Sequence, residues 1–230
     1  MELNQWSVPN EMLYEHWGDN RSGKSAINAW MAYCAHKAGM TVYCNCPCQC
    51  SLSFITPASC SRCILLFPHY HLSPLDPNFG NTELTGCYIM TDQTASSGLD
   101  ARTAMSVASR EATYFGDQAN KAGVEWHWDT SRHKNIDIRI RQSADWFVHS
   151  IRFPKLEKVW YDEKGYHDWP PVQAVKLRML HRDGAHKSYT FYRPFLEKIF
   201  KLYRTEVVIR SQRRTEPINT PLLHKALVSP

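Results

Sequence analysis

The chain has no uninterrupted apolar run of the ~18 residues that a membrane span needs. Residues 1–9 are polar and acidic, without the basic-then-apolar layout of a secretory signal, so a soluble, cytoplasmic protein with no membrane partner is expected. No internal repeat is present, which argues against solenoids and propellers. Charge of one sign is also scarce. Lys and Arg number 27 against 22 Asp and Glu, a net charge of +5. That mild excess permits a polyanionic partner without requiring one. The 230 residues suffice for one α/β domain with a full core and a modest appendage, and the 43% apolar content is ordinary for a globular protein.

Cysteine is the exception to this plainness, with 8 residues. Cys44, Cys46, Cys48 and Cys50 alternate, Cys60 and Cys63 form C-x-x-C, and Cys34 and Cys87 stand apart. In a reducing cytosol such a cluster suggests metal rather than disulfides. Cys48, Cys50, Cys60 and Cys63 make a compact candidate set for one tetrahedral Zn²⁺, with His69 and His71 as substitutes. The alternative is small buried thiols on one face of a strand, a pattern that Pro47 interrupts. Disulfides of a hyperthermophile or its virus remain a third reading.

Glycine is sparse, yet two fall in one short stretch: Gly18-Asp19-Asn20-Arg21-Ser22-Gly23-Lys24-Ser25, followed by Ala26. This is G-x-x-x-x-G-K-[ST], the Walker A phosphate loop. Its glycines permit a tight turn whose N–H groups face a phosphate chain. Lys24 is placed to neutralise the β- and γ-phosphates, and the Ser25 hydroxyl to ligate Mg²⁺. The helix that follows aims its positive end at the same anion. ATP or GTP binding is expected; the bland reading is an accidental glycine turn.

The context fits. Met12–Trp17 reads as the strand feeding the loop, and Lys24–Lys37 as a helix with Ile27, Trp30, Met31 and Cys34 at helical spacing. Thr41–Cys44 is a second strand, Ile64–Phe67 a short apolar run, and residues 68–86 a long surface connection. Cys87–Met90 is apolar, 101–121 helical, Val124–Trp128 a strand, and Asp145–Phe153 a half-buried strand. Lys158–Tyr161 and Val172–Leu180 suggest an added hairpin, and Arg193–Tyr203 a final amphipathic helix. Such alternation predicts an α/β fold, a P-loop NTPase three-layer sandwich with a mostly parallel central sheet and helices on both faces, plus a small β-hairpin addition. The expected organisation is an ATPase domain over 1–206, with a cysteine-rich insert and loop at 45–86 and added hairpin at 154–192, then a basic tail over 207–230.

Cys87–Thr91 ending in Asp92 fits a Walker B strand, whose Asp holds Mg²⁺ through water; the alternative is a turn aspartate closing a buried strand. Many ATPases follow this Asp with a Glu that activates water. Here the next residue is Gln93, which orients water but accepts no proton at neutral pH. Three readings stay open: slow or orientation-only catalysis, a base supplied by Glu83 or Glu111, or an engineered Glu→Gln trap. Ser131, and next Thr130, are candidate γ-phosphate sensors or simple caps. Arg139 and Arg141, with Arg102 and Arg110 behind them, are candidate arginine fingers, or partners of Asp137 and Asp145 in ordinary ion pairs.

The order of these motifs, with Ile136-Asp137-Ile138-Arg139-Ile140-Arg141 and the ending Leu202-Tyr203-Arg204-Thr205-Glu206, resembles the viral and phage DNA-packaging ATPases. These are relatives of the FtsK/HerA translocases, the terminase motors and the Zot-like phage assembly ATPases. The resemblance covers residues 11–206. It implies an additional-strand P-loop ATPase that uses ATP and Mg²⁺, assembles into a pentameric or hexameric ring and moves double-stranded DNA. A viral portal or capsid vertex is an implied partner, with the host cytoplasm or the virion as location. By position, Lys24 and Ser25 bind phosphate and Mg²⁺, Asp92 is the Walker B acid, Gln93 stands where the family has its Glu, and Ser131 stands where many members have a sensor Gln. Arg141 or Arg139 would act across the subunit boundary. The leading expectation is a genome-packaging translocase. The alternatives are a Zot-like morphogenesis ATPase, and a nucleotide-binding structural or regulatory protein with weak or no hydrolysis.

Overall fold

The computed structural model describes residues 12–45, 54–55, 63–72, 84–94, 99–101, 107–155 and 171–204. Among these, a nine-stranded sheet runs β3-β4-β2-β5-β6-β1-β7-β8-β9. The strands are β1 (Leu13–Trp17), β2 (Thr41–Cys44), β3 (Phe54–Ile55), β4 (His69–His71), β5 (Cys87–Thr91), β6 (Glu125–Thr130), β7 (Trp146–Phe153), β8 (Ala174–His181) and β9 (His186–Tyr192). From β4 to β7 every pairing is parallel. β3 at one edge and β8–β9 at the other are antiparallel. The helices are α1 (Lys24–Lys37), α2 (Val107–Ala119), α3 (Ile138–Ser143) and α4 (Arg193–Phe200).

Two apolar clusters, one on each side of the sheet, show how the layers form. Alternate strand residues point to opposite faces. Tyr14, Tyr88, Met90, Val148 and Leu177 pack with Ile27, Trp30 and Met31 of α1 and with Leu196 and Ile199 of α4. Leu13, Ile89, Trp126 and Trp128 pack on the other face with Ala112 and Phe115 of α2 and Ile140 of α3. The parallel strands are buried on both faces, as a sheet sandwiched between helices must be. Within the first cluster Trp30 meets Phe191 and Phe195 edge-on at 5.5 and 5.3 Å, which fastens α1 to β9 and α4.

The sheet order bears out the expected α/β fold. β6 lies between β1, which feeds the phosphate loop, and β5, which ends at Asp92. That interposed strand is the additional strand of the class named above. Other expectations shift. The expected surface connection over 68–86 contains a strand, His69–His71, with His69 and Leu72 buried, while in the apolar run before it Leu65 makes an isolated bridge to Tyr203. The run is apolar because it packs inward under α1, not because it pairs within the sheet: Ile64, Leu65 and Phe67 all belong to the α1-side core. β9 was not anticipated, although Asp183-Gly184 between two strands is a hairpin signal, and Gly184 adopts φ 95° there. Thus β8 pairs with β7 and β9, while Lys158–Tyr161 lies outside the described residues, as does the tail at 207–230.

Trp126 is fully buried, donates its indole N–H to Thr91 Oγ1 at 3.0 Å and packs 5.6 Å from Phe115. Trp126→Ala is expected to cost about 3–5 kcal/mol in chemical denaturation, the loss typical of an excised core aromatic.

Candidate nucleotide site

The phosphate loop is shaped by its glycines. Gly18 has φ 147°, and a side chain there would run into the Ser150 carbonyl at 2.5 Å. Gly23 has φ 94°, with Val175 of β8 where a Cβ would lie. Arg21 also takes a left-handed φ of 62°. The loop closes through Ser22 N–H donating to the Asp19 carbonyl at 3.1 Å. The Lys24 ammonium folds back to donate to the Gly18 and Asp19 carbonyls, each at 3.0 Å. Burial lowers its pKa, while Asp129, Asp92 and Asp19 pull the other way. Ser22 Oγ is buried with no hydrogen-bond partner among the described residues. A buried orphan hydroxyl, a buried ammonium and the N-terminus of a 14-residue helix together fit an anion.

Beside this loop stand two carboxylates. Ser25 Oγ lies 2.7 Å from Asp92 Oδ1 and 2.9 Å from Asp129 Oδ2. Both acids are buried, Asp92 to 5% exposure and Asp129 to 2%. Burial, then the negative charge of Asp92, holds the Asp129 carboxyl well above its ordinary range; Lys24 and the Ser25 hydroxyl oppose this. Three hard oxygen donors converging in this way fit Mg²⁺. Asn45 at the end of β2 clamps Asp92 from both sides: its amide donates to the Asp92 carbonyl at 2.8 Å, and its oxygen accepts the Asp92 N–H at 2.7 Å. Gln93 follows with φ 48°, and its backbone N–H donates to Asp129 Oδ1. Gln93 itself is exposed.

A polar chain runs beneath the loop. Glu125 Oε1 is 2.6 Å from His127 Nε2, and His127 Nδ1 is 2.9 Å from His16 Nε2. His127 is sandwiched by Tyr14 and Tyr88 at 4.1 and 4.6 Å. Burial raises the Glu125 carboxyl to about 8 and drives both histidines well below 6.5; His16 is further disfavoured as a cation by His127 and Lys24. The chain is therefore neutral near pH 7, with the Glu125 hydroxyl donating to His127 and His127 donating to His16.

The sheet order and this loop geometry decide the fold class. The chain has the fold of a P-loop NTPase. The N-terminal domain of zonular occludens toxin from Neisseria meningitidis is similar over 85% of this chain and 100% of that one, at TM-score 0.50 and 15% identity. The genome packaging NTPase B204 of Sulfolobus turreted icosahedral virus 2, in complex with ATP-gammaS, matches over 78% and 97% at TM-score 0.49 and 12% identity. Flagellar accessory protein FlaH from Methanocaldococcus jannaschii matches over 80% and 86% at TM-score 0.47 and 15% identity. No family model matches the chain, and no curated protein matches it in sequence.

Of the residues expected from sequence, the structure brings together Gly18, Asp19, Ser22, Lys24, Ser25, Asp92 and Gln93. Asp129 and Asn45 join them without having been anticipated as site residues. The alternation of Glu125, His127 and Asp129 puts the three on one face of β6, and the pairing of β6 with β5 makes that the face carrying Tyr88, Met90 and Asp92. Ser131 lies beyond the strand end and is exposed, and Thr130 points to the other face, where its hydroxyl caps Arg132. Arg139 is held by Asp137, with Nη2 to Oδ2 at 2.6 Å. Arg141 sits on the same helix, α3, on the side of the sheet away from α1. Glu111 is exposed on α2, also on that side, while Glu83 and Arg102 lie outside the described residues. So do Cys48, Cys50 and Cys60; Cys63 is buried in the apolar cluster under α1, and among the described residues no group of three His, Cys, Asp or Glu could hold a metal.

Asp129→Asn is expected to relieve the carboxylate conflict and raise the Tm of the nucleotide-free protein by about 2–4 °C, roughly 1 kcal/mol in a chain of this size. The same variant should raise the Mg²⁺ concentration needed for nucleotide binding by about 10–100-fold, read by titration with a fluorescent ATP analogue. A second expectation concerns pH. Between about 4.5 and about 8 the fold keeps a proton on Glu125 that the unfolded chain loses, so this group's contribution to stability falls as pH rises through that window. Glu125→Gln preserves a donor to His127 without titrating, so the variant should gain in Tm relative to the parent from pH 5 to pH 8.

Proposed function

We propose that this chain is an ATP-hydrolysing motor subunit that moves double-stranded DNA as a ring, most simply to package a viral genome. The observation that carries the nucleotide chemistry is the Ser25 hydroxyl held between Asp92 and Asp129 beside Lys24. The motif order, from the phosphate loop to the arginine segment and Tyr203, supports DNA as the cargo. Tyr203 keeps its place near the site: burial, and then the Asp92 charge, raises its phenol pKa, and Arg204 N–H docks on the Ile64 carbonyl at 2.8 Å.

In the proposed reaction the phosphate loop and Lys24 hold the β- and γ-phosphates. Bound Mg²⁺ supplies charge neutralisation, and Ser25, Asp92 and Asp129 would hold it. Gln93 orients a water for in-line attack; the new oxygen–phosphorus bond forms as the bond to ADP breaks, and the water's proton leaves with the phosphate. Arg141 of a neighbouring subunit offsets the charge that develops on the transferred group. Arg139 is the weaker candidate, because it would have to give up its ion pair with the buried Asp137. A Zot-like morphogenesis ATPase would use the same site. A second reading, a nucleotide-binding regulator with little turnover, is favoured by Gln93 itself, since an amide takes no proton.

The test is ATPase turnover with and without double-stranded DNA. The parent chain is expected to be slow and DNA-stimulated, and Lys24→Ala to lose that activity. Gln93→Glu should raise kcat by about 10²–10⁴-fold, the usual contribution of a placed general base. Silence of both the parent and Gln93→Glu, with nucleotide still bound, would replace the motor by the regulator.

A further inference from the structure

Among the described residues, β8 and β9 of the antiparallel extension are covered on one side only, while Phe147 of β7 also packs against the cluster on the far side. Val175, Leu177, Met179 and Phe191 are buried against α1 and α4. On the other side the cluster beneath α2 and α3 includes no residue of β8 or β9. That side of β8 and β9 is not polar. Of the six large apolar side chains exposed among the described residues, three share it: Leu180 at 52%, Phe153 at 41% and Tyr192 at 67%.

Strand register sorts the face into rungs. Phe147 lies opposite Leu180, and Leu180 opposite His186. At the far end Phe153 and Tyr192 flank Ala174. The two rungs between them carry Arg178, beside His149, and Lys176, beside Ile151. No rung holds an acidic residue, and neither Lys176 nor Arg178 forms an ion pair with a described carboxylate. Successive rungs are roughly 7 Å apart, and the aromatic ends roughly 20 Å apart, from the rise of a strand. That step is comparable with the spacing of nucleotides in an extended strand. The Phe147 end opens into a cavity of about 570 Å³ walled by Trp17, His133 and His149, large enough for a nucleoside.

We propose that this face binds single-stranded nucleic acid, with bases on the aromatic end rungs and phosphates on Lys176 and Arg178. Exposed rings at the Phe153–Tyr192 end, a cationic middle, and an apolar rung with its cavity at the Phe147–Leu180 end suit unstacked bases joined by phosphates. A duplex hides its base faces, so the contact is with an end or an opened segment. The face also touches the nucleotide site through the backbone. Trp17 of the cavity wall directly precedes Gly18, and Val175, next to Lys176 on β8, packs against Gly23. The proposal rests on the motor reading and deepens it by giving it a named contact with nucleic acid.

The experiment is fluorescence anisotropy of a labelled oligothymidylate with the nucleotide-free full chain, competed by unlabelled strand, by duplex of equal length and by ATP. Tyr192→Ala should weaken binding about tenfold, the scale of one lost stacking contact. Lys176→Ala/Arg178→Ala should reduce the salt slope by about 1.4, at ~0.7 per phosphate contact on a single strand. Both variants leave the buried side of the extension intact, and Lys24→Ala should bind the strand as the parent does. Parent-like binding by both variants overturns the proposal. So does competition by ATP or duplex equal to that by the strand, or a face that proves to be a self-association site, seen as loss of parent oligomers in the variants with unchanged strand affinity. Because binding is read without ATP, a chain that holds the strand through Tyr192 yet hydrolyses nothing keeps this proposal and overturns the motor.

Discussion

Asp92 and Asp129 are buried side by side at the ends of adjacent strands, and both contact one hydroxyl, that of Ser25. Two carboxylates in that setting repel, and water is too scarce there to screen them. The nucleotide-free fold manages the conflict with Lys24, with the Ser25 hydroxyl and with backbone N–H groups, including that of Gln93. Asn45 holds Asp92 by its backbone, which fixes the point from which the carboxylate projects. The arrangement fits a preorganised site whose carboxylate repulsion a bound cation would relieve. The loop, the sheet order and the position of Gln93 all depend on keeping β5 and β6 adjacent.

Alternation along the strands extends that constraint into the core. The face of β6 that presents Asp129 must also present His127 and Glu125, directly below the loop. A charged chain there would add to the charges already concentrated around Lys24. Burial resolves this by keeping Glu125 protonated and the histidines neutral, with two ring-stacked tyrosines sealing His127 from water. The polar chain thus supports the phosphate loop without competing for its ligand.

The other face of the same strands obeys the opposite demand. Trp126 and Trp128 fill the space under α2 and α3, and those helices stop short of β8 and β9. Among the described residues, this side of the sheet is therefore closed over its parallel centre and open over β8 and β9. The nucleotide-site carboxylates project on the α1 side, and the cations and aromatics of β8 and β9 lie on the α2/α3 side.

The phosphate loop was legible because its chemistry needs specific residues at fixed local spacing, and α1 and β2 were legible from period and punctuation. Asp92 was legible as the polar end of an apolar strand. Asp129 was not, because only lateral pairing of β5 with β6 puts it beside Asp92; in sequence the two are far apart. The same holds for Asn45. Conversely Ser131 and Thr130 looked suitable as polar residues past a strand, but one lies outside the strand and the other faces the wrong side. The antiparallel extension was half legible: Asp183-Gly184 marked a turn, yet which face of the hairpin stays bare depends on where α1, α4, α2 and α3 pack. By itself the sequence determined nucleotide chemistry and the parallel α/β layout, since both follow from local spacing and periodicity. Tertiary structure alone decided the second carboxylate, the neutral histidine chain and the open cationic face, because each depends on residues brought together across strands.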